Sequence, residues 1–204
     1  MSKEEKALNS AESAYVYAKL VLKGRFEKGE ITISKDDYYS CLYALHILNG
    51  RFKKGEKAIS KNTRYSYDYA RNVLKGRFKK GEDVISKDAD YSYYYARDVL
   101  KSRFEKGEIA ISKNAYYSYY YALHVLKSRF EKGENAISKS IKYSKLYREH
   151  VYDAEKDKLD KLTEASKALI NVLSSDENDY PDLSTYRMIM DKCSAVQEAL
   201  NEIK

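Results

Sequence analysis

The sequence predicts an all-α fold: an α-solenoid of five 26-residue helical hairpins followed by a C-terminal helical hairpin cap. The first observation is a motif that returns every 26 residues, a period typical of stacked repeats. The second is composition, since one proline and eight glycines in 204 residues favour helices over a turn-rich β fold. The copies of the motif are Gly24–Glu30 (GRFEKGE), Gly50–Glu56, Gly76–Glu82, Ser102–Glu108 and Ser128–Glu134.

The third observation is a start signal for a long helix, helix A, in every repeat. Asp36 stands ten residues after Phe26, and the equivalent positions carry residues that accept a hydrogen bond from the free N–H groups of a first helical turn. This column is Ser10, Asp36, Asn62, Asp88, Asn114 and Ser140. The serine two residues earlier, Ser34 in the first repeat, is a competing N-cap, or else it closes the preceding helix.

The apolar positions of helix A repeat with helical spacing. Tyr39, Tyr43 and Ile47 follow the i, i+4, i+8 rule, so we expect them to line the core. Ser40 and Ala44 are small and stand beside this stripe, which allows a neighbouring helix to come close. The equivalent stripes are Tyr65, Tyr69 and Val73; Tyr91, Tyr95 and Val99; and Tyr117, Tyr121 and Val125.

The motif predicts a turn followed by a short helix B. Gly24 and its equivalents Gly50, Gly76, Ser102 and Ser128 are expected to end helix A in the left-handed conformation. Phe52, Ala58 and Ile59 give helix B its apolar side. Gly55 costs about 1 kcal/mol relative to alanine inside a helix, so its recurrence predicts a close backbone approach.

Two domains are expected, residues 1–139 for the hairpin repeats and residues 140–204 for a C-terminal long-helix hairpin. The five repeats, modules 1 to 5, are 10–34, 36–60, 62–86, 88–112 and 114–138. A sixth helix A starts at Ser140, but no motif follows it and the helix is expected to continue. A polar break at 174–182 and a last helix at about 183–203 complete the hairpin. It either caps the solenoid or forms a homodimer.

The repeat resembles a known group of proteins. The pattern YA-x-x-[VI]-L-x-[GS]-RF-x-K-G-E-x-x-I, from Ser10 to about Tyr152, resembles the short tandem helical repeats of bacteriophage proteins. More loosely it is similar to Sel1 and tetratricopeptide hairpins, whose period is longer. The resemblance implies a phage-encoded accessory protein that binds and disables a host factor such as a defence protein. It implies no catalytic residues.

Composition excludes several classes of function. No apolar run is long enough to span a membrane, the N-terminus lacks the apolar stretch of a signal peptide, and the two cysteines form no disulfide framework. We therefore expect a cytoplasmic protein without a membrane partner. His46, His124 and His150 share one repeat column, which we interpret as a polar edge. No set of residues predicts an enzyme, a metal site or a cofactor.

Charged residues recur in four columns of each repeat. Arg25 and Glu30 recur in all five motifs, and we expect each arginine to cap helix A or to bridge a glutamate; a ladder of anion-binding arginines is the alternative. Lys28 and its equivalents Lys54, Lys80, Lys106 and Lys132, with Lys61, Lys87, Lys113 and Lys139, predict basic rows. Such rows either keep the protein soluble or follow a phosphate backbone.

The face of helix A opposite the core stripe does not repeat. Its columns, those of Tyr38, Leu42 and Leu45, are polar in module 3 but apolar or aromatic in modules 2 and 5. Exposed clusters of that kind mark interfaces, and tyrosine and arginine are common binding anchors. The predicted partner-binding residues are Tyr38, Leu42, Arg71, Tyr94, Arg97, Tyr116 and Tyr120.

Two functions follow from these patterns. The first is a non-enzymatic protein that binds a partner protein, expected to be acidic because the net charge is +7, through this variable face. The alternative is an RNA- or single-stranded nucleic-acid-binding protein, in which tyrosines stack on bases and the lysine rows contact phosphates. A further possibility for the variable face of module 5 is that the C-terminal hairpin covers it.

Overall fold

The computed structural model describes residues 2–174, 187–188, 190–191 and 193–194. All regular elements in these ranges are helices, in repeated hairpin packing, which confirms the predicted all-α solenoid. The chain divides into two compact units, Met1–Ser144 and Lys145–Lys204, a few residues beyond the boundary predicted from the sequence. The first unit contains the five modules.

Each helix A is α-helical at its start and π-helical at its end. The α-helical parts are Ala11–Val16, Asp37–Tyr43, Thr63–Asp68, Ala89–Tyr94, Ala115–Tyr121 and Ile141–Tyr147. The π-helical parts are Tyr17–Leu22, Ala44–Leu48, Tyr69–Leu74, Tyr95–Leu100, Ala122–Leu126 and Arg148–Tyr152. Because π-helix is rare and occurs mostly as single turns, its return in every helix A makes the wider turn a property of this repeat.

The predicted N-caps are confirmed. The Asp36 carboxylate accepts a hydrogen bond from the Tyr39 N–H at 2.8 Å. Ser10, Asn62, Asp88 and Asn114 accept the equivalent bond. The competing Ser34 hydroxyl donates instead to the carbonyl of Ile31 at 2.9 Å, so it closes the preceding helix.

The prediction for the end of helix A is wrong by one residue. The left-handed conformation lies on Lys23, with φ of 52°, and no glycine has a positive φ in the described residues. The N–H groups of Lys23 and Gly24 both donate to the carbonyl of Ala18, which offsets a conformational cost of roughly 1–2 kcal/mol. The other left-handed residues are Asn49, Lys75, Lys101 and Lys127. Since the first motif position has an ordinary φ, serine fits there in modules 4 and 5.

The core consists largely of tyrosines and small residues. Tyr43, Ala44 and Ser40 have no exposed surface, as predicted, and neither do their equivalents in modules 3 to 5. Tyr39 and Ile47, the rest of the predicted stripe, are half-buried. A second column, which the sequence stripe omits, is also buried: Tyr15, Cys41, Tyr67, Tyr93 and Tyr119.

Short B helices follow the motif. Their bounds are Glu30–Ile33, Glu56–Ile59, Glu82–Ile85, Glu108–Ile111 and Glu131–Ser138. Gly55 precedes its helix rather than lying in the middle, but the predicted close approach is confirmed. A Cβ added to Gly55 would lie 2.5 Å from Cδ1 of Phe52 and 2.7 Å from Cβ of Ser40. Helices A and B of one module therefore touch through glycine and serine.

A buried glutamate joins each module to the next. Glu56 has no exposed surface and accepts a hydrogen bond from Arg51 of its own module at 2.6 Å. From module 3, Lys80 donates to the same carboxylate at 2.8 Å, and the Tyr69 hydroxyl donates at 3.5 Å. The Tyr69 hydroxyl also accepts a hydrogen bond from the N–H of Phe52 at 2.9 Å. We call these five residues the glutamate cluster.

The glutamate cluster recurs at the other boundaries between modules. Glu30 accepts from Arg25 and Lys54 at 2.7 Å each, and Glu108 accepts from Arg103 at 2.6 Å and Lys132 at 2.7 Å. At Glu82 the lysine, Lys106, pairs with the adjacent Asp83 instead. The predicted bridge between arginine and glutamate is confirmed. Lys54, Lys80 and Lys132 belong to the same clusters, a role that the sequence did not indicate.

A short helix, Lys3–Ala7, precedes module 1 in the place of a helix B. Glu4 stands 26 residues before Glu30. The Glu4 carboxylate lies 2.9 Å from Nζ of Lys28. This pair is equivalent to the one between Glu30 and Lys54 in the next module. The repeat register therefore extends to the N-terminal side of module 1.

The second unit contains the helix Asp153–Ser174. Asp153 has φ of −69° where Lys23 is left-handed, so the sixth helix A continues, as predicted. The break predicted at 174–182 and the last helix at 183–203 lie outside the described residues, apart from Ser174 and helical backbone at 187–188, 190–191 and 193–194. The hairpin, its capping role and its homodimer contact therefore stay predictions.

The contact between helices A and B is tested by Gly81→Ala. The added Cβ would lie 2.6 Å from Cβ of Ser66 and 2.7 Å from Cδ1 of Phe78, so we expect a loss of about 1–3 kcal/mol in the free energy of unfolding. Urea unfolding followed by circular dichroism measures it. The matched control is Gly76→Ala, whose Cβ would meet nothing closer than 3.8 Å. Equal stability of the two variants would contradict the close contact.

The glutamate cluster is tested by Glu56→Gln. Burial alone would raise the pKa of the Glu56 carboxyl, but hydrogen bonds and positive charge from Arg51 and Lys80 outweigh burial and lower it. We expect the substitution to cost about 1–3 kcal/mol at neutral pH, because two cations lose their charged partner. Glu105→Gln, at an exposed position, serves as the control and should change stability by less than about 0.5 kcal/mol.

The same substitution should alter the response to acid. A carboxyl whose folded-state pKa lies below its unfolded value of about 4.3 stabilises the fold above that pH. This contribution is lost as the pH falls through the folded-state pKa. Wild type and Glu56→Gln should therefore converge in stability below about pH 4. A difference as large in acid as at neutral pH would show that the charge of Glu56 is not what stabilises the boundary.

Candidate interaction surface

The variable face lies on the A helices of modules 2 to 5, and the seven predicted residues lie along it. Tyr38 and Tyr116 are 42% and 39% exposed. Arg71 and Arg97 are exposed as well. The remaining three, Leu42, Tyr94 and Tyr120, are half-buried. Aromatic and basic side chains are therefore accessible on four successive helices.

A groove of about 250 Å³ runs between the A helices of modules 3 and 4. It brings together three of the predicted residues, Arg71, Tyr94 and Arg97, with side chains that were not predicted as anchors. The additional lining residues are Arg64, Tyr67, Asp68, Asp90, Tyr91 and Asp98. Three arginines and three aspartates face the groove, so its formal charges balance.

Asp98 holds the two sides of the groove together. Its carboxylate accepts hydrogen bonds from Nε of Arg97 at 2.6 Å and Nη2 of Arg97 at 3.0 Å. Across the groove, the Tyr67 hydroxyl donates to it at 2.9 Å, and Nη1 of Arg71 lies 3.9 Å away. The hydrogen bond from Arg97 lowers the pKa of Asp98 most, although burial opposes it. Burial, followed by the bond to Asp98, raises the pKa of Tyr67 to about 12.

Both predicted arginines are oriented by tyrosine side chains. The guanidinium of Arg97 lies 4.7 Å from the ring centre of Tyr94 and 5.1 Å from that of Tyr93. Nη1 of Arg71 donates to the Tyr67 hydroxyl at 3.0 Å. Cation–π contacts at such sites contribute about 0.5–1 kcal/mol each. The two side chains are thus held in place before any partner binds.

Tyrosines from modules 4 and 5 form a continuous cluster beside the groove. The ring centres of Tyr116 and Tyr120 are 4.6 Å apart, and Tyr120 stacks on His124 with an interplanar angle of 18°. Tyr117 joins this cluster to Tyr94 at 6.5 Å. A large, rigid aromatic surface with hydroxyl groups loses little conformational entropy when it binds a partner.

Two further carboxylates line the groove on opposite helices. Burial raises the pKa of Asp68, against the positive charges of Arg64 and Arg71. Oδ1 of Asp90 is buried without a hydrogen-bond partner, and no other buried side-chain nitrogen or oxygen in the described residues is in this situation. The Asp90 carboxylate is also hydrogen-bonded to the Tyr117 side chain, and burial together with this bond raises the pKa of Tyr117.

Sequence reasoning omitted Tyr67 and Asp98, which are central to the groove. Asp98 occupies the column of His46 and His124, which was interpreted as a polar edge. Tyr67 belongs to the buried column that the core stripe left out. The sequence does contain a signal for Asp98. Among modules 1 to 5, only module 4 has an acidic residue at this position.

The described residues hold no metal site, and the buried thiol of Cys41 is not reactive. No three His, Cys, Asp or Glu side chains come together there as metal ligands. Within the same residues, no helix combines the length and the apolar character needed to cross a membrane. Burial raises the pKa of the Cys41 thiol to about 12, so this cysteine is a poor nucleophile.

Comparison of the chain with protein-family models, with curated proteins and with solved structures finds no match. The resemblance to phage repeat proteins therefore stays a prediction.

The network around Asp98 is tested by Asp98→Ala. The substitution removes the acceptor shared by Tyr67 and Arg97, so we expect a loss of about 1–3 kcal/mol in the free energy of unfolding. Asn72→Ala changes the same column in module 3, where the side chain is exposed, and should cost less than about 0.5 kcal/mol. Chemical unfolding of both variants measures the difference. If both substitutions cost the same, Asp98 does not join the two helices.

Proposed function

We propose that this chain is a non-enzymatic binding protein that holds a partner protein on the variable face of modules 2 to 5. The groove at Arg71, Tyr94 and Arg97, with the adjoining tyrosine cluster, carries this proposal. Tyrosine and arginine anchors that become buried when a partner binds are typical of the centres of protein interfaces. The repeating positions build the frame, and the positions that differ between modules are available for recognition.

The order of side chains along the face fits an extended contact. Modules 2 and 5 present apolar and aromatic residues, Tyr38 and Leu42 in one and Tyr116 and Tyr120 in the other. The charged groove lies between them. At a helix spacing of about 8–10 Å, these four modules cover roughly 24–30 Å, which is comparable to a standard protein interface. A partner with a polar centre flanked by two apolar regions would match this order.

A protein partner fits the groove better than a nucleic acid does. Three aspartates, Asp68, Asp90 and Asp98, face the groove and would repel a phosphate backbone. The lysine row is also partly engaged, since Lys54, Lys80 and Lys132 each pair with a buried glutamate. The exposed tyrosines are the feature that favours the second candidate, binding to single-stranded nucleic acid by base stacking.

The net charge of +7 supports an acidic partner, because opposite overall charge accelerates encounter. Because the positive and negative charges in the groove cancel, the groove itself would orient the bound partner rather than attract it. The narrower proposal, a phage-encoded inhibitor of a host defence protein in the host cytoplasm, rests on the resemblance of the repeat pattern alone.

The proposal is tested by replacing Tyr116 and Tyr120 with alanine. Immobilised wild-type chain would be used to capture partners from bacterial lysate, with and without nuclease, and the affinity of the purified partner would then be measured by calorimetry. We expect the double substitution to weaken binding at least about 30-fold, the effect of losing one anchor worth about 2 kcal/mol.

The matched control is Ile109→Ala, which changes an exposed side chain (68%) on helix B of module 4 and should bind as wild type does. Circular dichroism should be unchanged in both variants. If the double variant binds the partner as tightly as wild type does, the variable face is not the binding surface. Loss of the captured material after nuclease treatment would favour the nucleic-acid function instead.

A further inference from the structure

The positive charge of the chain is concentrated on the five motifs, each taken with the residue before it. These stretches are 23–30, 49–56, 75–82, 101–108 and 127–134. They contain sixteen lysines and arginines and eight glutamates, which gives +8, whereas the whole chain carries +7. The rest of the sequence is therefore close to neutral. An acidic partner attracted by the net charge should meet the protein at these stretches.

The five stretches lie along one edge of the first unit. The π-helical ends of successive A helices contact each other, so the turns that follow them are neighbours. The motifs are also linked directly, since Lys54 pairs with Glu30 and Lys80 pairs with Glu56 across successive boundaries. Charges in successive motifs are thus about one helix spacing apart, or roughly 8–10 Å.

Modules 2 and 3 carry most of this charge. Their two stretches hold seven cations and two glutamates, and both glutamates, Glu56 and Glu82, are buried. Within the described residues, three exposed lysines of these stretches form no ion pair, and we call them the basic edge: Lys53, Lys75 and Lys79. Their charges are therefore available to a partner.

The positive charge does not continue into the flanking modules. The column of Lys53 and Lys79 holds exposed glutamates in modules 1, 4 and 5, namely Glu27, Glu105 and Glu131. The basic edge is therefore bounded on both sides by negative charge. Its two modules are roughly 8–10 Å apart, a distance that an extended polypeptide covers with about three residues.

We propose that the basic edge binds a short acidic segment of the partner protein, an inference that rests on the proposed function. A phosphate backbone carries charge along its whole length, so it would meet the glutamates on both sides. The two stretches also lack a surface for base stacking, because their aromatic residues, Phe52 and Phe78, are buried. A run of a few Asp or Glu residues meets neither obstacle.

The basic edge is placed to act together with the groove. Lys75 stands four residues after Arg71, at the end of the same helix A, and Arg71 lines the groove. One partner can therefore occupy the groove and place an acidic segment on the basic edge. The edge supplies the attraction that the groove, with its balanced charges, does not.

The basic edge is tested with a fluorescein-labelled peptide of about six glutamates, whose binding is measured by fluorescence anisotropy. Wild type should bind the peptide at low salt, and the affinity should fall as salt rises. Lys53→Glu combined with Lys79→Glu should weaken binding at least about tenfold, because two attractions become repulsions. Glutamate occupies the equivalent positions of three other modules, so the repeat accommodates it. Circular dichroism confirms that the variant is folded.

The matched control is Lys35→Glu combined with Lys61→Glu. It changes the net charge equally, at exposed lysines that precede the A helices of modules 2 and 3, and should bind the peptide within about twofold of wild type. Absence of binding by wild type would overturn the proposal. So would an equal loss in the two double variants, because net charge alone would then explain binding.

A single-stranded oligonucleotide of the same charge as the peptide tests the other class of partner. It should bind more weakly than the peptide. If it binds more tightly, and the Lys53 and Lys79 substitutions weaken it, the basic edge is a nucleic-acid site and the proposal is wrong.

The peptide experiment is independent of the variable face. The double variant of Tyr116 and Tyr120 should bind the peptide as wild type does. Failure of wild type to bind the peptide would remove the basic edge and leave the variable face in place. Failure of the tyrosine substitutions to weaken partner binding would remove the variable face and leave the basic edge.

Discussion

A carboxylate buried at each boundary between modules is the constraint on which the rest of this fold depends. An isolated charge without compensation would oppose folding, so Glu56 requires cations and hydroxyl donors arranged closely around it. Arg51 comes from its own module, while Lys80 and Tyr69 come from the next one. No module can complete this arrangement alone. The requirement explains why the same residue types return at the same spacing, and why the modules form a stack rather than separate hairpins.

The residues of the repeating columns form the glutamate clusters and the core, so they stay the same in each module. The differences between modules therefore lie on the opposite face of helix A. Arg71 and Arg97 illustrate how such differences act. They lie at equivalent positions in neighbouring modules, yet a single aspartate, Asp98, engages both sides of the groove between them. One aspartate in an edge column therefore orients Arg97 directly and is linked to Arg71 through the Tyr67 hydroxyl. An interaction surface can be altered in this way without any change in the frame beneath it.

Much of the fold could be predicted from the sequence because it depends on local patterns. The N-cap at Asp36 and the buried stripe at Tyr43 follow from residue type and spacing within one module. The left-handed residue at Lys23 could not be predicted in the same way, since the π-helical end shifts the turn by one position. The pairing of Lys54 with Glu30 depends on contact between modules. The groove at Asp98 depends on a difference between modules, which a consensus of the repeats conceals.

The glutamate cluster also bears on how such a chain can change in length. Its arginine and glutamate lie on one side of each boundary, and its lysine and tyrosine lie on the other. Within the five modules, any segment of 26 residues carries one complete set of these four residue types, wherever it is cut. Duplication or deletion of such a segment would rejoin matching halves and recreate an intact boundary. Recombination between repeats can therefore alter the number of A helices while keeping the same residue types at each internal junction.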